Sequence, residues 1–112
     1  MAIPFVFFDL RTPDAAASRA FYSEMFGWTA TDALLTDGGV PWGGFTPLAP
    51  DDTRRPQWVP YAPVGDLDRA AERAVALGAT IVRGRTELPV GSLVVIEDPA
   101  GATVVLWQTR ER

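Results

Sequence analysis

Two polar side chains on predicted strands are the best candidates for chemistry in this chain of 112 residues. Asp9 lies on the first predicted strand and Tyr61 on a later one. A carboxylate among apolar neighbours could act as a general base, and a phenol could donate a hydrogen bond to a ligand carbonyl. Each also has a structural alternative. Asp9 could pair with Arg11 or with backbone amides, and Tyr61 could be an exposed phenol on a proline-rich strand.

The residue types that are missing exclude most other chemistry. The sequence has no Cys, no His and no Lys. It therefore offers no disulfide, no thiolate ligand, no Ser–His–Asp triad and no lysine Schiff base. Catalysis would depend on Asp, Glu, Tyr, Ser, Thr or Arg, and the sequence predicts no cofactor.

Composition indicates one globular domain and argues against a nucleic-acid or membrane partner. The net charge is −4, and all ten basic residues are arginines scattered along the chain, which argues against nucleic acid. With 47% hydrophobic residues the chain can bury a core. No apolar run is long enough to cross a membrane, and the first residues lack the basic start of a signal peptide. We therefore expect one domain over residues 1–112 in the cytoplasm.

One local pattern occurs twice. Each copy has a helix-start signal, a run of helix-forming residues and a closing glycine, over residues 12–28 and again over residues 65–79. Thr12 and Asp66 are predicted to cap the two helices, and Gly27 and Gly78 to end them. Two copies in a short chain indicate a duplicated supersecondary unit.

The strands around these helices complete two modules. Alternating or apolar segments predict strands at 3–10, 29–36, 40–48, 57–64, 79–83, 92–97 and 102–108. We therefore predict an α+β fold with two βαβββ-type modules, a shortened one over residues 1–48 and a complete one over residues 57–112. The polar, proline-containing segment 49–56 is the predicted linker.

Several motifs in this order resemble the vicinal oxygen chelate superfamily, which includes glyoxalase I, bleomycin-resistance proteins and extradiol dioxygenases. The motifs are Phe21-Tyr22 with Phe26-Gly27-Trp28, Val64-Gly65-Asp66-Leu67 with Leu77-Gly78-Ala79, and Asp98-Pro99-Ala100-Gly101. The resemblance implies two modules whose curved sheets form a cup for the ligand. It also implies homodimers.

The resemblance further implies where a metal would be held, because metal-dependent members place His and Glu on the first and last strands of each module. Three of the four equivalent positions here are Phe7, Val59 and Val105. The fourth falls near residues 42–45, which also offer no ligand. We therefore expect no metal site and reject an active glyoxalase or dioxygenase.

The same positions predict an apolar, aromatic-lined cup, which is the usual form of a small-molecule site. The candidate ligand-binding residues are Phe5, Phe7, Trp42, Val59, Tyr61, Thr103, Val105 and Trp107. The alternative is that these side chains simply fill a core.

Three functions remain open at this stage. The leading hypothesis is a metal-free protein that binds a small, partly aromatic organic molecule. The second is a metal-independent isomerase, cyclase or lyase acting on a carbonyl compound through Asp9, Tyr61 or an arginine, and the third is a non-catalytic interaction module. Because the first module is short and leaves a sheet edge poorly covered, we also expect a homodimer.

Overall fold

A computed structural model describes residues 4–110 and shows two helices and eight strands within them. In chain order the elements are β1 (Phe7–Thr12), α1 (Ala15–Phe26), β2 (Thr29–Ala30), β3 (Leu34–Asp37), β4 (Val40–Pro47), β5 (Gln57–Pro63), α2 (Leu67–Ala76), β6 (Thr80–Leu88), β7 (Gly91–Glu97) and β8 (Thr103–Thr109). Strand, helix and three strands occur twice, so the α+β fold of two βαβββ-type modules is confirmed. Among the described residues, no helix is long and apolar enough to cross a membrane.

The chain divides into two compact units. The N-terminal unit comprises residues 7–59, and the C-terminal unit comprises residues 60–110 together with residues 4–6. The outer ends of the predicted modules, and Ile3 at the start of the first predicted strand, lie outside the described residues.

The N-terminal unit has a four-stranded sheet in the order β2-β3-β4-β1. Strands β1 and β4 run parallel, whereas β2–β3 and β3–β4 are antiparallel. The predicted strand over residues 29–36 is in fact two strands, because Thr31 Oγ1 accepts a hydrogen bond from Leu34 N at 3.0 Å and turns the chain. Within the described part of this module all three strands after the helix are present, and β2 is trimmed to two residues.

The capping prediction for α1 was wrong by two residues. Asp14 is the N-cap, and its carboxylate accepts a hydrogen bond from Ala17 N at 3.0 Å. Thr12 is the last residue of β1, and its hydroxyl contacts Ser18 Oγ and accepts from Asp14 N. Gly27 ends the helix in the left-handed region (φ 70°), as predicted.

The apolar stripe of α1 is largely exposed. None of its residues is buried, and Phe21, Met25 and Phe26 are 58%, 63% and 55% exposed. The apolar stripe of an amphipathic helix ordinarily packs against the core, so the exposed stripe of α1 departs from that pattern. The buried core of the N-terminal unit includes Leu10 and Leu35 instead.

The C-terminal unit has strands in the order β5-β8-β7-β6, with β5 parallel to β8 and the remaining pairs antiparallel. Leu67, the first residue of α2, packs with Val94, Ile96 and Leu106 in a buried cluster. The small alanines of α2 (Ala70, Ala71 and Ala74) lie against this cluster, which places the helix close to the sheet.

The predicted ends of α2 are confirmed. Asp66 accepts a hydrogen bond from Arg69 N at 3.1 Å, and Gly78 has a φ of 102°. The predicted strand 79–83 was too short. β6 continues to Leu88 because two register irregularities let it stay paired with β7.

Candidate functional site

The sheet of the C-terminal unit has one face under α2 and one face without a helix. Val94, Ile96 and Leu106 point toward α2, so their sequence neighbours Val95 and Val105 point to the opposite face. Tyr61 lies in register with Val105 on the parallel pair β5–β8. This helix-free face therefore holds four of the predicted ligand-binding residues: Tyr61, Thr103, Val105 and Trp107.

Two aromatic rings meet on this face. The centroids of Tyr61 and Trp107 are 5.9 Å apart and their planes are tilted by 47°. Both side chains are half-buried, as is Thr103, whereas Val105 is fully buried beneath its neighbours. The rings are accessible in part, and Val105, at a position where metal-dependent relatives of the resembling family hold a ligand, forms the floor of the face.

The helix-free face of the N-terminal unit is polar at its centre. Phe45 faces α1, where the guanidinium of Arg19 lies 6.0 Å from its ring centroid. By alternation Gly44 and Thr46 face the other way, and the ring of Phe7 lies 3.2 Å from the position that a Cβ on Gly44 would occupy. Phe7 and Asp9 thus share this face, as expected from strand alternation.

Asp9 is engaged in a buried network. The hydroxyl of Thr46 donates to its carboxylate, at 2.7 and 2.9 Å from the two oxygens. Arg11 Nε lies 3.6 Å from Asp9 Oδ2, and Asp9 is only 4% exposed. Arg11 Nε is itself buried and makes no hydrogen bond to any described residue. The structural alternative for Asp9, a pairing with Arg11, is therefore present.

The other three predicted residues are Phe5, Val59 and Trp42. Phe5, among residues 4–6, is half-buried, next to Val6, whose amide donates to Tyr61 O at 2.9 Å. Val59 is fully buried.

The side chain of Trp42 does not follow the strand alternation on which the sequence prediction relied. Leu35 pairs with Gly43 but Thr36 pairs with Pro41, so Trp42 is the extra residue of a β-bulge in β4. A bulge redirects side chains from the strand's alternation. The indole of Trp42 contacts Trp28 (ring centroids 4.8 Å apart) and Trp58 (6.5 Å apart).

These contacts belong to an aromatic cluster that the sequence prediction did not assign. Tyr22 and Phe26 of α1 stack on Trp28 with centroids 5.2 and 5.0 Å away, and Trp58 Nε1 donates to Tyr22 Oη at 3.1 Å. We define the aromatic cluster by its members Phe21, Tyr22, Phe26, Trp28, Trp42 and Trp58. The sequence does show Phe26-Gly27-Trp28 at a helix end, but the contacts with Trp42 and Trp58 are not local.

An open cleft lies beside this cluster. It has a volume of about 720 Å³ and is lined by Gly27, Trp28, Thr29, Thr36, Asp37, Val40 and Trp42. Thr29 and Thr36 are paired across β2 and β3, and Asp37 and Val40 flank the β3–β4 turn. The cleft is therefore built entirely within the N-terminal unit.

The described residues do not provide the donors of a metal centre. Within residues 4–110, no three Asp or Glu side chains come close enough to bind one ion, and the sequence contains neither His nor Cys. Val59 and Val105, at two positions implied for ligands, are fully buried aliphatic side chains. Imidazole and thiolate ligands are therefore lacking, and the carboxylates of residues 4–110 do not gather in a group of three.

The fold and the paired modules define the class of the protein: a glyoxalase/bleomycin-resistance-like α+β domain. A family model described as "Glyoxalase-like domain" matches residues 5–106. The chain therefore belongs to the glyoxalase-like domain family, as the sequence motifs predicted.

Similar proteins agree with this assignment. The chain is 32% identical to the anthracycline biosynthesis protein DnrV of Streptomyces peucetius, over 90% of this chain and 45% of DnrV. It is 30% identical to the putative glyoxylase CFP32 of Mycobacterium tuberculosis, over 89% of this chain and 43% of CFP32. The chain thus spans less than half the length of these relatives.

A solved structure shows the same fold at low identity. It is a glyoxalase/bleomycin resistance protein/dioxygenase superfamily member from Vibrio splendidus, with a TM-score of 0.63 and 14% identity. The match covers 91% of this chain and 96% of that chain.

Proposed function

We propose that this protein binds a small, partly aromatic organic molecule without the help of a metal ion. The observation that carries the proposal is the Tyr61–Trp107 ring pair on the helix-free face of the C-terminal unit, with its centroids 5.9 Å apart. The two half-buried rings offer stacking area, and the Tyr61 phenol carries a hydroxyl that can form a hydrogen bond.

The donor set supports the metal-free part of the proposal. Catalytic zinc and related ions need His, Cys or carboxylate ligands, and the implied positions carry Phe7, Val59 and Val105. DnrV is named for anthracycline biosynthesis, and we carry over from that name only the broad class of a small organic ligand.

The catalytic alternative receives no separate support. Asp9 is paired with Thr46 and Arg11, and a general base must instead reach the proton of a bound substrate. We therefore propose binding rather than turnover. The cytoplasmic location stays a prediction.

The binding proposal is tested with a flat aromatic probe and its saturated counterpart. We expect 2-naphthol to shift the indole N–H resonance of Trp107, and decahydro-2-naphthol to shift it much less. Tyr61→Phe should weaken the binding of 2-naphthol by about threefold to tenfold, the loss of one hydrogen bond. The same protein, after metal analysis, should contain no stoichiometric zinc, nickel, iron or manganese.

Two results would contradict this proposal. An unmoved Trp107 resonance across a panel of aromatic compounds would favour the interaction-module hypothesis. One tightly held metal ion per chain would remove the metal-free statement.

We also propose a homodimer. The exposed side chains of Phe21 and Met25 on α1 support it, since adjacent apolar side chains on a surface commonly mark a protein contact. Sedimentation velocity at micromolar concentration should give a dimer, and a strictly monomeric species would contradict the proposal.

A further inference from the structure

The cleft of the N-terminal unit has two aromatic walls at right angles. The indole planes of Trp28 and Trp42 meet at 84°, and their centroids are 4.8 Å apart. A flat ligand prefers a slot between parallel rings, whereas perpendicular indoles form a corner that suits a compact, rounded group.

Other rings fix the orientation of both indoles. Trp28 stacks on Tyr22 with an interplanar angle of 14° and on Phe26 with an angle of 29°. Trp42 stacks on Trp58 with an angle of 18°. The corner is therefore held by ring contacts on two sides and does not have to form when a ligand arrives, which lowers the entropic cost of binding.

A negative charge completes the cleft. Asp37 lines it, is exposed, and forms no ion pair with any residue in the described range 4–110. Among residues 4–110, no arginine lines the cleft. The N-terminal unit as a whole carries seven carboxylates against four arginines. The local potential thus favours a cation.

We propose that this cleft binds a compact organic cation, an ammonium group carrying alkyl substituents, on the faces of Trp28 and Trp42 with Asp37 as its counter-charge. Tryptophan is the strongest aromatic partner for such a cation, and a quaternary ammonium is weakly hydrated compared with a primary amine. The proposal concerns a second site, separate from the Tyr61–Trp107 face, and does not depend on the function proposed above.

Choline and its neutral carbon isostere, 3,3-dimethyl-1-butanol, are the probes. They have the same shape and the same hydroxyl, and they differ in the charge. In titrations followed by the indole N–H resonances, we expect choline to shift Trp28 and Trp42 and to bind at least about fivefold tighter than the isostere. Added salt should weaken the binding of choline and leave the affinity for the isostere unchanged.

Variants separate the cleft from general charge. Asp37→Asn should weaken the affinity for choline by about twofold to fivefold. The matched control is Asp32→Asn, which removes the same charge from an exposed residue outside the cleft lining and should leave choline affinity nearly unchanged. Trp28→Phe should weaken the binding of choline while keeping a ring in the cluster. Trp107→Phe should leave the affinity for choline unchanged.

Three outcomes would overturn the proposal. The first is an equal affinity for choline and the isostere, and the second is an equal loss of choline affinity in Asp37→Asn and Asp32→Asn. The third is no shift of the Trp28 or Trp42 resonance at about 50 mM choline, a concentration about equal to the weakest dissociation constant that would count as binding. Separate indole resonances keep this test independent of the 2-naphthol test, since that one is read at Trp107.

Discussion

Trp58 Nε1 donates a hydrogen bond to Tyr22 Oη at 3.1 Å, and the two rings meet edge to face with their centroids 5.3 Å apart. Both residues belong to the N-terminal unit, so the bond ties α1 to Trp58 at the start of β5. It also lies behind the walls of the cleft, because Tyr22 stacks on Trp28 and Trp58 stacks on Trp42. One polar contact thus connects the two rings that support the indole corner.

Tyr22→Phe removes the acceptor and keeps the ring. We expect a loss of about 1 kcal/mol in the free energy of unfolding, since a part-buried indole N–H loses its partner. The indole N–H resonance of Trp58 should move upfield in NMR spectra, and that of Trp107 should not. An unmoved Trp58 resonance would show that the bond does not form in solution.

The helices could be predicted because their signals are local. Asp66, Gly27 and Gly78 act within one turn of the helix that they begin or end. The cap of α1 was placed two residues early because Thr12 and Asp14 are both good caps, and only the pairing of Thr12 in β1 decides between them.

The helix-free face of the C-terminal unit could also be predicted. Strand alternation alone puts Val105 and Trp107 on one face, and the observed register adds Tyr61 to it. The degree of burial could not be predicted in this way. Val105 is covered completely, which depends on neighbouring strands and not on its own sequence.

Trp42 marks the limit of the sequence prediction. Alternation assumes regular pairing, but the bulge opposite Leu35 and Thr36 inserts one residue and changes the direction of the indole. A bulge is a property of two strands together. The aromatic cluster was missed because the contacts of Trp28 with Trp42 and Trp58 join residues that are far apart in the sequence.

Gly91 gives a steric test of the Trp107 position. A Cβ there would lie 2.5 Å from Gln108 O and 2.6 Å from Trp107 Cζ2. The backbone oxygen cannot move without breaking the β7–β8 pairing, so we expect Gly91→Ala to cost about 1–3 kcal/mol in the free energy of unfolding. The tryptophan fluorescence of the Gly91→Ala variant should also change, because Trp107 is displaced.

Gly84→Ala is the matched control in the same unit. A Cβ on Gly84 meets nothing within 4 Å, and its φ is not positive. We expect a change within about 0.5 kcal/mol in urea unfolding. Equal effects of the two substitutions would mean that the close packing between Gly91 and Trp107 is absent in solution.

The buried network around Asp9 predicts a stability effect. Asp9→Ala should reduce the free energy of unfolding by about 2 kcal/mol, because it leaves the part-buried side chain of Arg11 without its ion-pair partner, with Asp52 as its remaining nearby negative charge. Thr46→Val should cost less, about 1 kcal/mol, because Arg11 keeps its partner. Exposed Asp32 serves as the control, and an Asp9→Ala variant no less stable than Asp32→Ala would argue that Asp9 has another role.

Asp52 predicts a pH effect in the loop between β4 and β5. The side chain of Arg54 donates hydrogen bonds to this carboxylate at 2.7 and 3.0 Å and, with the Arg54 backbone amide, lowers the pKa of Asp52 to about 2. A pKa lower in the folded than in the unfolded chain makes the ionised form stabilising. The contribution is complete above the unfolded pKa of about 3.9 and is lost as pH falls toward 2.

The carboxyl carbon of Asp52 should therefore titrate by NMR with a midpoint of about 2. Arg54→Ala should raise this midpoint, since the largest cause of the shift is removed. Arg55→Ala, which changes the neighbouring exposed arginine, should leave it in place. High salt should raise the midpoint in the unmodified protein, because the pair is open to solvent. A midpoint in the ordinary range near 4 before any substitution would show that Arg54 does not hold the carboxylate in solution.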